Sequence, residues 1–248
     1  MIRTTYILLW VVLTTFFWGL IAIITSFFTR TGDPVHIVAR IWARSILFVS
    51  RTKVTVNGLA NIDPTQSYVY MSNHQSNFDI PVLLAYLPVQ FRWLAKAELF
   101  KIPIFGRAMR GAGYVKIDRF NQEAAFESLN EAAEKMKNGV SVMIFPEGTR
   151  SRDGKIRPFK KGGFVMAVDA GVPIVPVVLK GTWTLMDKSS LKINTGEVSL
   201  NLKAPIATTD YTRENKDDLV KSVRAVIREG FEKDKNEVHR SGVHGSKV

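Results

Sequence analysis

The N-terminal segment constrains this chain most, because no residue from Thr4 to Thr29 carries a charge. A helix needs about 20 predominantly apolar residues to cross a bilayer, and this run is longer than that. Trp10 and Trp18 are suited to the interface between water and lipid, where amphipathic rings are favoured. We therefore expect residues 1–52 to form membrane-anchoring helices. The pattern favours neither a spanning helix nor a hairpin within one leaflet.

The next segment, residues 33–51, mixes isoleucine and phenylalanine with arginine, as is typical of a helix on an anionic lipid surface. The whole chain is basic, since 34 Lys and Arg against 22 Asp and Glu give a formal net charge of +12. Such an excess indicates an anionic partner: a phosphorylated substrate, an anionic membrane face or nucleic acid. In the alternative, one or both of these helices simply pack on the rest of the domain.

Several kinds of chemistry are excluded by what the sequence lacks. The chain contains no cysteine, which rules out disulfides, cysteine nucleophiles and thiolate metal sites. It also has no His-Glu-x-x-His pair, no Walker-type glycine loop, no calcium loop and no Gly-x-Ser-x-Gly elbow. We therefore expect neither a metal nor a cofactor.

From residue 53 onward, short β-branched and aromatic runs alternate with amphipathic segments. The runs predicted to be strands are 53–58, 67–72, 91–96, 113–118, 140–145, 173–179 and 197–202. Helices are predicted over 122–138 and near 214–232, where apolar residues recur at helical spacing. This alternation predicts an α/β domain over residues 53–232, with a mixed, mostly parallel sheet flanked by helices. Residues 233–248 are expected to form a polar tail.

The stretch SNHQSNFDIP, residues 72–81, places Asp79 five positions after His74. A histidine can take up and return a proton near neutral pH, and an aspartate nearby can orient it and stabilise the imidazolium. The two residues would not share a face of a regular helix. They can meet only if His74 lies in the turn after a strand and Asp79 lies in the first turn of the next helix. In the alternative, Ser76 and Asp79 merely cap a helix.

Residues suited to bind a phosphate group follow two other predicted strands. They are Arg119 after one strand and Glu147, Gly148, Thr149 and Arg150 after another. The arginine guanidinium is a planar fork that matches phosphate, and glycine permits close approach of the backbone to a ligand. We expect Glu147 to hold an arginine in position rather than to take part in chemistry. Taken singly, each arginine could instead form a surface ion pair.

The stretches NHQSNFD, GYVKIDR, FPEGTRS and VPIVPVV occur in this order and resemble the motif blocks of the glycerolipid acyltransferases, most closely those that act on 1-acylglycerol 3-phosphate (lysophosphatidic acid). The resemblance implies transfer of a fatty acyl group from acyl-CoA or acyl carrier protein to the lysophosphatidic acid hydroxyl, giving phosphatidic acid in phospholipid biosynthesis. His74 would be the general base and Asp79 its orienting partner. The acceptor's phosphate would be held by Arg119, Gly148, Thr149 and Arg150, with Glu147 in support.

The resemblance also implies a place at the cell inner membrane or its equivalent, with the active site on the cytoplasmic face and no nucleic-acid partner. Within the family, another lysolipid or glycerol phosphate is the alternative acceptor. Two other functions remain open from the residues alone. A lipid-phosphate hydrolase would use His74 and the arginines to release inorganic phosphate. A non-enzymatic module would bind anionic lipid or nucleic acid through its positive charge, and loss of His74 would not affect it.

Overall fold

The computed structural model describes residues 2–118 and 120–241, with the backbone alone over 234–241, and has a seven-stranded sheet at its centre. The strands are β1 (Thr52–Asn57), β2 (Val69–Ser72), β3 (Phe91–Lys96), β4 (Val115–Ile117), β5 (Ser141–Ile144), β6 (Ile174–Lys180) and β7 (Gly196–Leu202). Their order is β1-β7-β6-β2-β5-β3-β4, and every pair is parallel except β6 with β7. The predicted mixed, mostly parallel sheet is confirmed.

Helices connect most of the strands. They are α1 (Ile2–Phe27), α2 (Asp33–Val49), α3 (Asp79–Tyr86), α4 (Phe105–Gly111), α5 (Gln122–Lys137), α6 (Gly162–Ala170), α7 (Thr182–Leu185) and α8 (Lys216–Ser241). The helix predicted over 122–138 is α5, and the Asn121 side chain caps it by accepting a hydrogen bond from the amide of Ala124. The helix predicted near 214–232 is α8. It continues to Ser241, into the segment expected to be a polar tail, and residues 242–248 lie outside the described part.

Helices cover both faces of the sheet. On one face, residues of α5, α6 and α8 form a core cluster with β2, β5 and β6, in which Phe164 and Ile227 are fully buried. On the other face, α2 and α3 pack against the same strands, and Leu83 is fully buried there. Strands that are buried on both faces have continuous apolar sequences, which explains the runs from which β2, β5 and β6 were predicted.

The first two helices form an antiparallel hairpin that packs on the sheet domain. Arg3 at the start of α1 donates a hydrogen bond to the carbonyl of Ser50 beyond the end of α2, at 2.8 Å. Midway along, the indole of Trp42 donates to the Thr15 hydroxyl at 3.1 Å. Ile7 of α1 lies fully buried in the core cluster of the sheet face that α3 covers. By length and composition, α1 is apolar enough to cross a membrane.

The role of Arg40 differs from the one expected at a lipid surface. Its guanidinium donates to the carbonyls of Leu84, Leu87 and Val89 at 3.2, 3.0 and 2.8 Å. The last carbonyls of a helix have no partner within that helix, and these oxygens lie at and just beyond the end of α3. Arg40 therefore caps α3 and fixes α2 to the sheet domain.

Candidate active site

The turn between β2 and α3 brings His74 and Asp79 together. Nδ1 of His74 lies 2.7 Å from Oδ2 of Asp79, and the aspartate is fully buried. The same oxygen accepts hydrogen bonds from the main-chain amides of Gln75 at 2.7 Å and Ser76 at 2.9 Å. The carboxylate thus does what both sequence interpretations required: it reaches back to amides before α3, and it binds the imidazole.

The His74 ring has a fixed orientation. It stacks on the ring of Phe145, with centroids 3.8 Å apart and planes 7° from parallel. Because Asp79 engages Nδ1, Nε2 is the ring nitrogen left for a substrate. Phe145 was not selected from the sequence. It directly follows β5, which pairs with β2, so its place beside His74 depends on a strand order that the sequence pattern does not reveal.

The loop after β5 also holds the main chain of His74. Oε1 of Glu147 accepts a hydrogen bond from the His74 amide at 2.7 Å, and Oε2 accepts one from the Arg157 amide at 2.8 Å. The amide of Ser151 donates to the His74 carbonyl at 2.9 Å. We expected Glu147 to hold an arginine side chain beside the phosphate. The buried carboxylate instead binds main-chain amides, because it lies where the ends of β2 and β5 meet.

Burial raises the pKa of the Glu147 carboxyl to about 7 from an ordinary value of 4.5. The folded protein therefore holds this proton more tightly than the unfolded chain does. The resulting stabilisation is fully present below about pH 4.5 and is lost as the pH rises toward 7.

We accordingly expect Glu147→Gln to remove part of the fall in the free energy of unfolding between pH 4.5 and 7. The measurement is chemical unfolding of both proteins at a series of pH values. Glu123→Gln, at an exposed position, is the matched control and should leave the slope unchanged. If the free energy of unfolding of Glu147→Gln fell with pH as steeply as that of the unaltered protein, the raised pKa of Glu147 would be contradicted.

The predicted phosphate-binding residues are only partly brought together. Gly148, Thr149 and Arg150 line the same cavity as His74. Gly148 has a φ of 72°, in the left-handed region that favours glycine, so the loop turns sharply there. Glu147 is not among the described residues that line the cavity. Arg119 lies outside the described residues.

The cavity has a volume of about 460 Å³ and extends from His74 between the helices of the N-terminal half. Its apolar part is lined by residues of α1, α2, α3, β3 and α4, among them Trp18, Val38, Trp42, Ile80, Leu84, Phe105 and Met109. Its polar part is lined by His74, Lys96, Thr149, Arg150 and Lys188. This division suits an amphiphilic ligand, with an anionic group near Arg150 and an apolar chain toward α1.

Comparison with known proteins gives the family. The sequence profile described as Acyltransferase matches residues 53–180, just over half of the chain. The chain belongs to the acyltransferase family. All four stretches that carried the resemblance lie within the matched residues.

Two similar proteins are named for the same acceptor, 1-acyl-sn-glycerol 3-phosphate. A chloroplastic 1-acyl-sn-glycerol-3-phosphate acyltransferase of Brassica napus is 38% identical over 76% of this chain and 58% of its own. One from Arabidopsis thaliana is 40% identical over 69% of this chain and 48% of its own. The chain thus spans about half the length of these curated relatives.

A solved structure extends the similarity to almost the whole fold. The 1-acyl-sn-glycerophosphate (LPA) acyltransferase from Thermotoga maritima superposes with a TM-score of 0.80 at 31% identity, over 94% of this chain and 95% of that one. The match therefore includes most of the N-terminal hairpin as well as the sheet domain.

Proposed function

We propose that the protein is a 1-acylglycerol-3-phosphate O-acyltransferase, which transfers a fatty acyl group from a thioester donor to lysophosphatidic acid and forms phosphatidic acid. The hydrogen bond of Asp79 to His74, which lines a cavity with one cationic and one apolar end, supports this proposal most directly. The names of the similar proteins support the choice of acceptor.

In the proposed reaction, Nε2 of His74 removes the proton of the acceptor hydroxyl. The hydroxyl oxygen then attacks the thioester carbonyl, and the carbon–sulfur bond breaks when the tetrahedral intermediate collapses. The departing thiolate takes the proton back from His74, so the products are phosphatidic acid and the free thiol of the carrier. Asp79 stabilises the imidazolium that exists between these two proton transfers. These steps use no metal and no cofactor.

The cavity suggests how the substrates would lie. Arg150 would hold the phosphate of the acceptor, because the described residues provide no hydrogen-bond acceptor for its guanidinium. Thr149 would donate its hydroxyl proton to the same group. An acyl chain would lie in the apolar part between α1, α2 and α4. Acyl-CoA or acyl carrier protein would deliver the acyl group.

The N-terminal hairpin would place this cavity at the lipid. Its outer surface exposes many large apolar side chains: Tyr6, Leu9, Val12, Leu13, Phe16, Phe17, Leu20, Ile24, Phe27, Phe28, Ile37, Ile41 and Phe48. A contiguous apolar surface of this kind marks a membrane or protein contact. Because α1 lies antiparallel to α2, and α2 is fixed to α3 by Arg40, a hairpin inserted in one leaflet is favoured over a spanning helix. The cytoplasmic face of a cell membrane, where both donors occur, is the proposed location.

We expect Arg150→Ala to raise the KM for lysophosphatidic acid, because a charge-assisted contact to the phosphate is lost. Loss of such a contact corresponds to roughly 10- to 100-fold in kcat/KM. Arg119→Ala should act in the same direction if the second motif block contributes to the same site. Steady-state kinetics at saturating donor measure the change, and exposed Arg228→Ala is the control. Equal use of phosphorylated and phosphate-free acceptors by the unaltered enzyme would contradict this role.

A panel assay tests the proposed function against its rivals. The full-length protein is incubated with labelled acyl-CoA or acyl carrier protein and with several lysolipids, and the lipid products are identified. We expect phosphatidic acid from lysophosphatidic acid. A hydrolase would instead release inorganic phosphate without consuming the thioester, and a binding module would form no product. Preference for another lysolipid would change the acceptor but not the reaction.

A further inference from the structure

Lys188 lies in the cavity wall, although it is 38 residues from Arg150, the nearest in sequence of the predicted site residues. Its Nζ donates to the hydroxyl of Thr149 at 3.0 Å and to the carbonyl of Arg150 at 3.3 Å. It lines the same cavity as His74. The segment that carries it follows α7, so it comes from a part of the chain beyond the matched family region, which ends at residue 180.

The turn that carries His74 also fixes the position of this segment. The hydroxyl of Ser76 donates to the carbonyl of Met186 at 2.6 Å, two residues before Lys188. The Asn73 side chain pairs with both main-chain groups of Leu179, each at 2.8 Å. The hydrogen bonds of Ser76 and Asn73 therefore fix the segment of Lys188 relative to His74. A residue that positions a substrate for His74 needs a fixed place of this kind.

The surroundings of Lys188 are strongly cationic. Besides burial, the positive charges of Arg152, Arg150, Arg157 and Lys96 lower the pKa of its ammonium group. In the described part of the chain, no carboxylate forms an ion pair with it. The carboxylates of Asp187, and of Asp153 and Glu147 in the loop of Thr149 and Arg150, form hydrogen bonds with other groups.

Asp187 accepts hydrogen bonds from Ser189, and Asp153 accepts them from Ser151 and Lys155. Glu147 is buried against main-chain amides. Lys96, Arg150 and Lys188 all line the cavity, and a cleft lined by charges of one sign attracts a ligand of the opposite sign, here an anion.

We propose that Lys188 is a further phosphate-binding residue, which forms a subsite for a phosphate group together with Thr149 and Arg150. This inference rests on the proposed function of the same cavity. Two of the three ammonium protons are used within the protein, which leaves one for a phosphate oxygen. Because the Thr149 hydroxyl accepts from Lys188, its own proton is directed to a ligand. The phosphate belongs to the acceptor or to the donor, and the two are distinguished by experiment.

The test compares full-length Lys188→Ala with the unaltered enzyme. We expect kcat/KM with lysophosphatidic acid and acyl-CoA to fall about 10- to 100-fold, mainly through KM. Lys188→Arg should recover part of the loss. Lys192→Ala removes an exposed lysine of the same segment and should have no effect.

The source of the phosphate is identified from the substrate whose KM changes. If Lys188 binds the acceptor's phosphate, only the KM for lysophosphatidic acid rises, and Lys188→Ala matches the unaltered enzyme when monoacylglycerol is the acceptor. If a donor phosphate is bound, the KM for acyl-CoA rises, and the loss disappears with S-acyl pantetheine.

A purely structural role for Lys188 would give a different result. If the ammonium only supports the loop of Thr149, activity falls equally with phosphorylated and phosphate-free substrates, which would overturn the proposal. The proposal would also be overturned if Lys188→Ala, like Lys192→Ala, left kcat/KM unchanged. Calorimetric titration with lysophosphatidic acid and with coenzyme A gives a readout independent of turnover. Binding of one of them should weaken in Lys188→Ala, even if the unaltered protein proves to catalyse another reaction, and unchanged binding of both would overturn the assignment.

Discussion

Replacement of His74 by alanine is expected to lower the rate of acyl transfer by about 10²- to 10⁴-fold, because the variant lacks the group that we propose accepts the hydroxyl proton. The fold should survive, since the side chain lies in the cavity wall and the main-chain bonds to Glu147 and Ser151 do not depend on it. The measurement is kcat/KM for lysophosphatidic acid with purified protein, together with the circular dichroism spectrum and the unfolding midpoint.

Asp79→Asn separates the charge of the carboxylate from its geometry. In the structure, two main-chain amides point at the oxygen that binds the imidazole. These amides should make asparagine present its oxygen rather than its nitrogen to His74, so the tautomer is retained and only the charge is lost. We therefore expect a loss of about 10- to 100-fold, smaller than that of His74→Ala. Near wild-type turnover in His74→Ala would rule out the proposed mechanism.

The second large effect concerns the outer surface of α1. Leu13 and Phe16 are 58% and 57% exposed, and transfer of the exposed parts of both side chains into lipid contributes roughly 2–3 kcal/mol. The double variant Leu13→Glu with Phe16→Glu should bind vesicles about 100-fold or more weakly and lose most activity on vesicle substrate. Activity on detergent-dispersed substrate should be retained. Flotation with liposomes and an assay on the same vesicles measure both quantities.

The matched control introduces a glutamate on the opposite side of the molecule. Phe126 of α5 is 49% exposed, and α5 packs on the other face of the sheet. Phe126→Glu should leave flotation unchanged. If the α1 variant floats like the unaltered protein, the membrane contact lies elsewhere. Substitutions are preferable to deletion of residues 1–50, since Ile7 and Ala43 are fully buried in the domain core and their removal would expose it.

The sequence predicted the strands well because each is a short apolar run bounded by turn residues. All seven predicted strands are present as β1 to β7, with ends that differ by at most two residues. The spacing of His74 and Asp79 allowed them to meet only if a turn after a strand carried one and the first turn of a helix carried the other, and the structure meets this condition. Local patterns were sufficient for the strands, but for this pair they gave only the condition.

Contacts that depend on strand order could not be predicted in this way. The stacking of Phe145 on His74 and the bonds of Glu147 to main-chain amides exist because β5 lies next to β2, although α3, β3, β4 and other elements separate them along the chain. Arg40 is similar: its pattern indicated a lipid-facing helix, whereas the end of α3 supplies carbonyls that bind it. An arginine can bind either lipid headgroups or the carbonyls of a neighbouring helix, and the sequence does not reveal which of them it will meet in the fold.

Acyl transfer to lysophosphatidic acid can be followed directly with one labelled acyl group. The full-length protein in vesicles that contain lysophosphatidic acid receives acyl-CoA with a ¹³C-labelled chain, and mass spectrometry identifies the labelled lipids. The expected result is labelled phosphatidic acid, formed in step with free coenzyme A and strongly reduced in His74→Ala. Release of inorganic phosphate with the thioester unconsumed would contradict the proposed function, and equal formation of labelled phosphatidic acid by His74→Ala would contradict the proposed role of His74.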